Sequence, residues 1–88
     1  MYAIGKILIR TPDRLRGILH KLKSAGAVIL ARIDNVREDD HYEVGGSDWY
    51  MLGRTEIVRV GHLLTFKAPN RELLYSASQL LGLSRSDF

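Results

Sequence analysis

Eighty-eight residues, 45% of them hydrophobic and 26% charged, make one soluble globular domain whose core is adequate but not generous. The absence of cysteine excludes disulfides, zinc–thiolate sites and cysteine nucleophiles, and fits a reducing cytoplasm. No apolar run approaches the roughly 20 residues of a membrane span, and the N-terminus lacks a signal peptide's order of charge, apolar core and cleavage site, so no membrane association is expected. The net charge of +3 conceals a strong asymmetry. Residues 1–33 carry seven bases against Asp13, a net of +6, while residues 34–48 carry six acids against Arg37, a net of −5. Residues 49–88 hold five bases and three acids, a net of +2.

Residues 2–10 (YAIGKILIR) are β-rich and almost continuously apolar, the pattern of an inner strand covered on both faces. Thr11-Pro12-Asp13 opens a helix: Thr11 as cap, Pro12 in the first turn, and Asp13 at the positive end of the dipole. Leu15, Ile18, Leu19, Leu22 and Ala25 recur at helical spacing, and Gly26 supplies the left-handed stop. Gly17 sits mid-helix at a cost of about 1 kcal/mol relative to alanine, which points to close packing there. Residues 27–36 form a second apolar strand, so strand, helix, strand predicts a βαβ unit with parallel strands and a right-handed crossover.

Residues 37–46 (REDDHYEVGG) read as an acidic loop or hairpin tip. Residues 47–68 then read as three strands joined by Gly53-Arg54 and Gly61-His62, where a glycine at the first loop position suits a two-residue hairpin turn. These turns set Met51 opposite Glu56, Tyr50 opposite Ile57 and Asp48 opposite Arg59. The second hairpin sets Val58 opposite Thr65, Ile57 opposite Phe66 and Glu56 opposite Lys67, so two pairs join opposite charges. Asn70 caps a second helix whose stripe is Leu73, Leu74, Ala77, Leu80 and Leu81, ended by Gly82. The predicted fold is α+β: a small single domain over residues 1–88, with a mixed or mainly antiparallel sheet of about five strands and two helices in the order β-α-β-β-β-β-α. A ferredoxin-like fold needs a further strand after the last helix.

Four features bear on function. Arg16, His20 and Lys23 fall at i, i+4 and i+7 on the first helix, with Arg14 and Lys21 beside the apolar stripe. Such a row can follow a phosphate backbone, and Lys6 and Arg10 extend it. The alternative for these residues is a solvated helix face. Asp39, Asp40, His41, Glu43 and Asp48 carry oxygen ligands of the kind hard cations take, but their spacing matches no EF-hand or zinc-helix motif; a solvated loop is the reading taken, with no metal and no cofactor. A metal-dependent nuclease built on Asp39, Asp40 and His41 is a third-ranked function. General acid–base work needs partners converging on one bond, and nothing in the spacing brings His20, His41 or His62 together.

In the meander, Tyr50, Leu52, Ile57, Leu64, Phe66 and Ala68 share one face, and Trp49, Met51, Val58, Val60 and Leu63 share the other. An antiparallel sheet with one wet face alternates apolar with polar, and this one does not. The second face is therefore read as an interface for a partner protein or for self-association, unless the sheet curls around a single core. At the C-terminus, residues 77–86 (ASQLLGLSRS) resemble the helix-turn-helix of Fis-type DNA-binding domains, which implies a reading helix beginning at Ser84. The match covers ten residues, and a helix closed by Gly82 accounts for the same letters. The function expected is a non-catalytic binding module that docks through its basic helix on nucleic acid or a nucleoprotein. The alternative is a small protein-binding factor or inhibitor, of the kind phage and mobile elements encode, acting through the apolar sheet face and as a homodimer.

Overall fold

The meander organises the molecule. In the computed structural model, which describes residues 1–33 and 46–88, β3 (Ser47–Leu52), β4 (Thr55–Val60) and β5 (Leu63–Ala68) pair antiparallel in the register their turns dictate. All six cross-strand partners read from the sequence are found, including Asp48↔Arg59 and Glu56↔Lys67. Gly53 and Gly61 take φ of 59° and 58°, the left-handed backbone that a tight hairpin demands and that glycine adopts without strain.

Two more strands complete one five-stranded sheet of order β1-β5-β4-β3-β2, in which every neighbouring pair is antiparallel. β2 (Val28–Ile33) pairs with β3 at one edge, with a bulge between Ile29 and Ala31. β1 (Ala3–Leu8) pairs with β5 at the other. The parallel βαβ unit expected from the sequence is therefore corrected. β1 and β2 point the same way, but three antiparallel strands separate them. The helix between them, α1 (Pro12–Ser24), is 13 residues long. At 1.5 Å per residue it spans roughly 20 Å, close to the roughly 19 Å that four strand spacings cover. It can carry the chain from one sheet edge to the other, a span that a shorter helix would not cover by itself.

β1 is likewise an edge strand and not an inner one: Gly5 and Ile7 are buried, while Ile4, Lys6 and Leu8 face out. β2 exposes Val28, Ile29 and Leu30 along the opposite edge.

Both helices pack on a single face. Leu15, Ile18 and Leu22 of α1, and Leu74 and Ala77 of α2 (Arg71–Leu80), are buried against Ile7, Tyr50, Leu52, Ile57, Leu64 and Phe66. Leu80, expected in the apolar stripe of α2, is exposed. Thr11 occupies the cap position of α1 through its backbone carbonyl, which accepts from the Leu15 N–H at 3.0 Å, without a side-chain bond. Asn70 caps α2 through its side chain, accepting from the Leu73 N–H at 2.9 Å.

Gly82 (φ 73°) closes the second helix, and a single 3-10 turn at Arg85–Asp87 folds the tail back. Phe88 meets Phe66 edge-on, with ring centroids 5.4 Å apart, and lies against Gly5, where a Cβ would come within 2.6 Å of its ring. Asp87 accepts from Arg14 at 3.4 Å and from the Ser84 N–H at 2.8 Å. The segment that resembles the start of a reading helix is thus packed onto the domain's own body. Among the described residues, no helix is long and apolar enough to cross a membrane.

Candidate functional site

Three surfaces or clusters hold the chemistry that the sequence singled out. The first is the outer side of α1. Amphipathic spacing buries Leu15, Ile18 and Leu22, so the intervening positions must face water. Arg16, His20 and Lys23 are exposed in one row, with Arg14 and Lys21 exposed beside it. Arg10, in the link into α1, is exposed as well. Among the described residues, Arg16 donates to Asp13 at 3.2 Å, and Arg14 reaches Asp87. Lys6 is not part of this surface. It projects from the opposite face of the sheet, level with Thr65. Gly17, expected to allow close packing, has nothing within 4 Å of where a Cβ would stand, so it leaves open backbone amid the basic row. The close-packing glycine is Gly5.

The second is the face of the sheet away from the helices. Alternation sends every other residue of each strand to this side, and the register arranges them in three rows across the five strands. One row runs Ile4, Lys67, Glu56, Met51, Val28. The middle row runs Lys6, Thr65, Val58, Trp49, Ala31. In the third, Leu8, Leu63, Val60 and Ser47 stand side by side. The predicted interface residues Trp49, Met51, Val58, Val60 and Leu63 therefore share one surface. The first three are half-buried by their neighbours, and Val60 and Leu63 are exposed. None of the described residues packs over them as a second layer. The Lys67 ammonium lies 4.4 Å from the centre of the Tyr2 ring, a cation–π contact at the margin.

The third feature went unread as a unit. On the helix side, Asp48 is 3% exposed and Arg59 6% exposed. Arg59 Nε donates to Asp48 Oδ2 at 2.8 Å, the Tyr50 hydroxyl donates to the same oxygen at 3.0 Å, and Arg32 Nε donates to Oδ1 at 3.0 Å. Arg59 also donates to the Gly61 carbonyl at 3.0 Å. Burial pushes the Asp48 carboxyl up, but the hydrogen bonds from Arg59, Tyr50 and Arg32, with the Arg59 charge, outweigh it and hold the pKa below the usual carboxylate range. Burial and the adjoining carboxylate raise the Tyr50 phenol. The signal was present in the cross-strand pairing of Asp48 with Arg59 on the same face as Tyr50. Reading Asp48 as a member of the acidic loop obscured it.

Of the acidic group, Asp48 is thus engaged by three donors; Asp39, Asp40, His41 and Glu43 lie outside the described residues. Among the described residues, no three histidine or acidic side chains gather as a metal site would require. His20 is on the exposed side of α1. His62 donates from Nδ1 to the Ile9 carbonyl at 2.8 Å, while Ile9 N–H donates to the His62 carbonyl at 2.9 Å, fastening the end of β1 to the second hairpin turn.

The fold and these surfaces define a two-layer α+β domain with a helical layer on one side of an antiparallel sheet. Comparison with protein-family models, with curated proteins and with solved structures found no match for the chain.

Proposed function

We propose that the protein is a non-catalytic binding module that docks through α1 on nucleic acid or a nucleoprotein. The observation that carries this reading is the solvent side of α1, where Arg16, His20 and Lys23 align with Arg10, Arg14 and Lys21 around them. Among the described residues, the acids seen joined to this surface are Asp13 and Asp87. Gly17 adds to the argument: an exposed glycine costs helix stability and fills no packing need, yet it lets a sugar–phosphate backbone come close to the helix. Phosphate contacts of this kind supply affinity and orientation without reading sequence.

The test is fluorescence anisotropy with a short DNA duplex and a single-stranded RNA across a salt series. Four phosphate contacts on B-DNA give a slope of log K against log salt of about −3.6. Replacing Arg10, Arg16, Lys21 and Lys23 by glutamine is expected to weaken binding and flatten that slope while the melting temperature holds. Arg14 is spared because it also anchors Asp87. Absence of binding at low salt, or binding indifferent to salt, refutes the reading.

A further inference from the structure

We infer that Arg85, held over the Tyr75 ring beside α1, is a stacking platform for an unpaired base, which makes single-stranded nucleic acid the preferred ligand. The inference rests on the reading of α1 as a surface for phosphates, and adds a contact to the bases that α1 itself does not supply.

The position of Arg85 follows from how the tail is laid down. Both ends of the stretch 82–87 touch α1. The Lys21 ammonium comes within 2.7 Å of where a Cβ on Gly82 would stand. Two helical turns earlier, Arg14 reaches Asp87 at 3.4 Å. Two bases of the α1 surface therefore bracket the tail, and Arg85 falls between the two contacts. The turn that carries it is fixed at its own ends. The Ser84 N–H donates to Asp87 Oδ2 at 2.8 Å, and Phe88 meets Phe66 edge-on.

Between the tail and α2 lies an open cleft of about 410 Å³, within the roughly 300–1,000 Å³ of small-ligand sites. Buried Leu83 supplies apolar surface to it, and Tyr75, Gln79, Ser84, Arg85 and Ser86 line the rest. Arg85 is the one charged residue among the described residues of this lining. Its guanidinium carbon stands 4.2 Å from the centre of the Tyr75 ring, a cation–π contact. Arg85 is exposed as a residue, so the side of the guanidinium away from the ring is open to a ligand. Asp87, the nearest carboxylate in sequence, is already engaged by Arg14 and the Ser84 N–H. Arg71 and Glu72, one turn before Tyr75 on α2, sum to no net charge.

Such a platform suits a nucleobase. Bases stack on aromatic rings and on guanidinium planes, and every base has a face to offer. In a duplex those faces are taken up by neighbouring pairs. A strand whose phosphates follow α1 can turn an unpaired base onto Arg85, where Gln79, Ser84 and Ser86 present amide and hydroxyl groups to its edge. The other cation–aromatic contact, Lys67 with Tyr2, lacks both properties. Lys67 stands on the sheet face away from α1, and an ammonium has no plane.

Charge alone ranks the duplex first, because its two strands together place a negative charge about every 1.7 Å of axis. A preference for the single strand therefore reports the bases. Fluorescence anisotropy at fixed low salt uses a labelled DNA strand of about 12 nucleotides, its duplex, and an abasic strand of the same length. The wild type is expected to bind the strand more tightly than the duplex, and the abasic strand at least about fivefold more weakly than the intact one. Arg85→Lys keeps the charge and removes the plane. It is expected to weaken strand binding by about five- to 150-fold, the worth of one stacked base, with duplex binding and its salt slope unchanged. Tyr2→Leu is expected to alter neither. Tighter binding of the duplex by the wild type overturns the inference. So does an abasic strand bound as well as the intact one, a comparison that needs no variant, or an Arg85→Lys protein that keeps its strand affinity. Those results leave the reading of α1 standing, whereas absence of all binding at low salt removes both.

Discussion

Replacing Asp48 by alanine removes the shared acceptor of three hydrogen bonds from the most buried charged cluster on the described chain. The consequences differ for the three donors. The Tyr50 hydroxyl is deeply buried and loses its acceptor, a cost of about 1–3 kcal/mol. Arg59 loses its buried carboxylate but keeps the Gly61 carbonyl. Arg32, with its side chain 47% exposed, turns to water. Breaking a buried ion pair from one side costs about 3–5 kcal/mol, and the remaining Arg59 contacts place this case near 3 kcal/mol. A domain of this size loses about 4–8 °C in Tm per kcal/mol, so the expected drop is on the order of 12–24 °C. Arg32→Ala breaks only the outer, half-exposed bridge and is expected to cost less than about 1 kcal/mol. Val at position 48 combined with Leu at 59 removes both charges, and recovers part of the loss because a well-packed apolar replacement avoids burying an unbalanced ion. Urea denaturation at constant m-value reads all three variants. If Asp48→Ala costs no more than Arg32→Ala, the cluster is effectively solvated and the reasoning fails.

The same carboxylate sets a pH dependence. Its folded pKa is depressed, so its contribution is present above the unfolded value of about 3.9 and is lost as pH falls through the folded value. Stability should stay level from pH 7 to about 5 and then decline. In Asp48→Ala the acid decline should be shallower but not abolished, because the Ser84 backbone hydrogen bond also lowers Asp87; an identical decline in both proteins would contradict the assignment. Gly17→Ala should raise stability by up to about 1 kcal/mol, since the position is helical and open; a destabilised variant in thermal melts would mean that the site is packed after all. Gly5→Ala should displace the Phe88 ring and forfeit an aromatic contact worth about 0.5–1.5 kcal/mol beyond its area. Retention of the wild-type Phe88 ring-proton shifts in NMR would argue against that displacement.

The meander was legible because its turns are two residues long and glycine-led, which leaves one register, and a slip of one residue would reverse every side chain. The edges were not. An apolar run on both faces, as in IGKILI, normally marks a strand covered on both sides, but here both helices pack on the face of Gly5 and Ile7. Ile4 and Leu8 are apolar for the same reason as Leu63 and Val60: they belong to one surface. Alternation also says nothing about which free edge a distant strand will choose. β1 takes the β5 edge, where Gly5 opposite Phe66 and Ile7 opposite Leu64 complete the core, and the pairing becomes antiparallel throughout. The basic row on α1 followed from helical spacing alone, whereas Lys6 was misplaced because strand parity, not nearness in sequence, decides its side.

The strand order also ranks the contacts by how far the chain must travel to make them. The β3–β4 and β4–β5 pairs close across two-residue turns, while Ala3 meets Ala68 only after nearly the whole chain has been brought round. Closure entropy grows slowly with loop length, but it must be met before any contact between β1 and β5 compensates it. Assembly is therefore expected to begin in the meander and to finish when β1 arrives at its edge, bringing α1 across the helix-side face as it docks. Until that moment the apolar helix-side residues of β4 and β5 lack the cover of α1. A comparison of φ-values for Ile57→Val and Ile7→Val measures this order directly, with the higher value expected at Ile57.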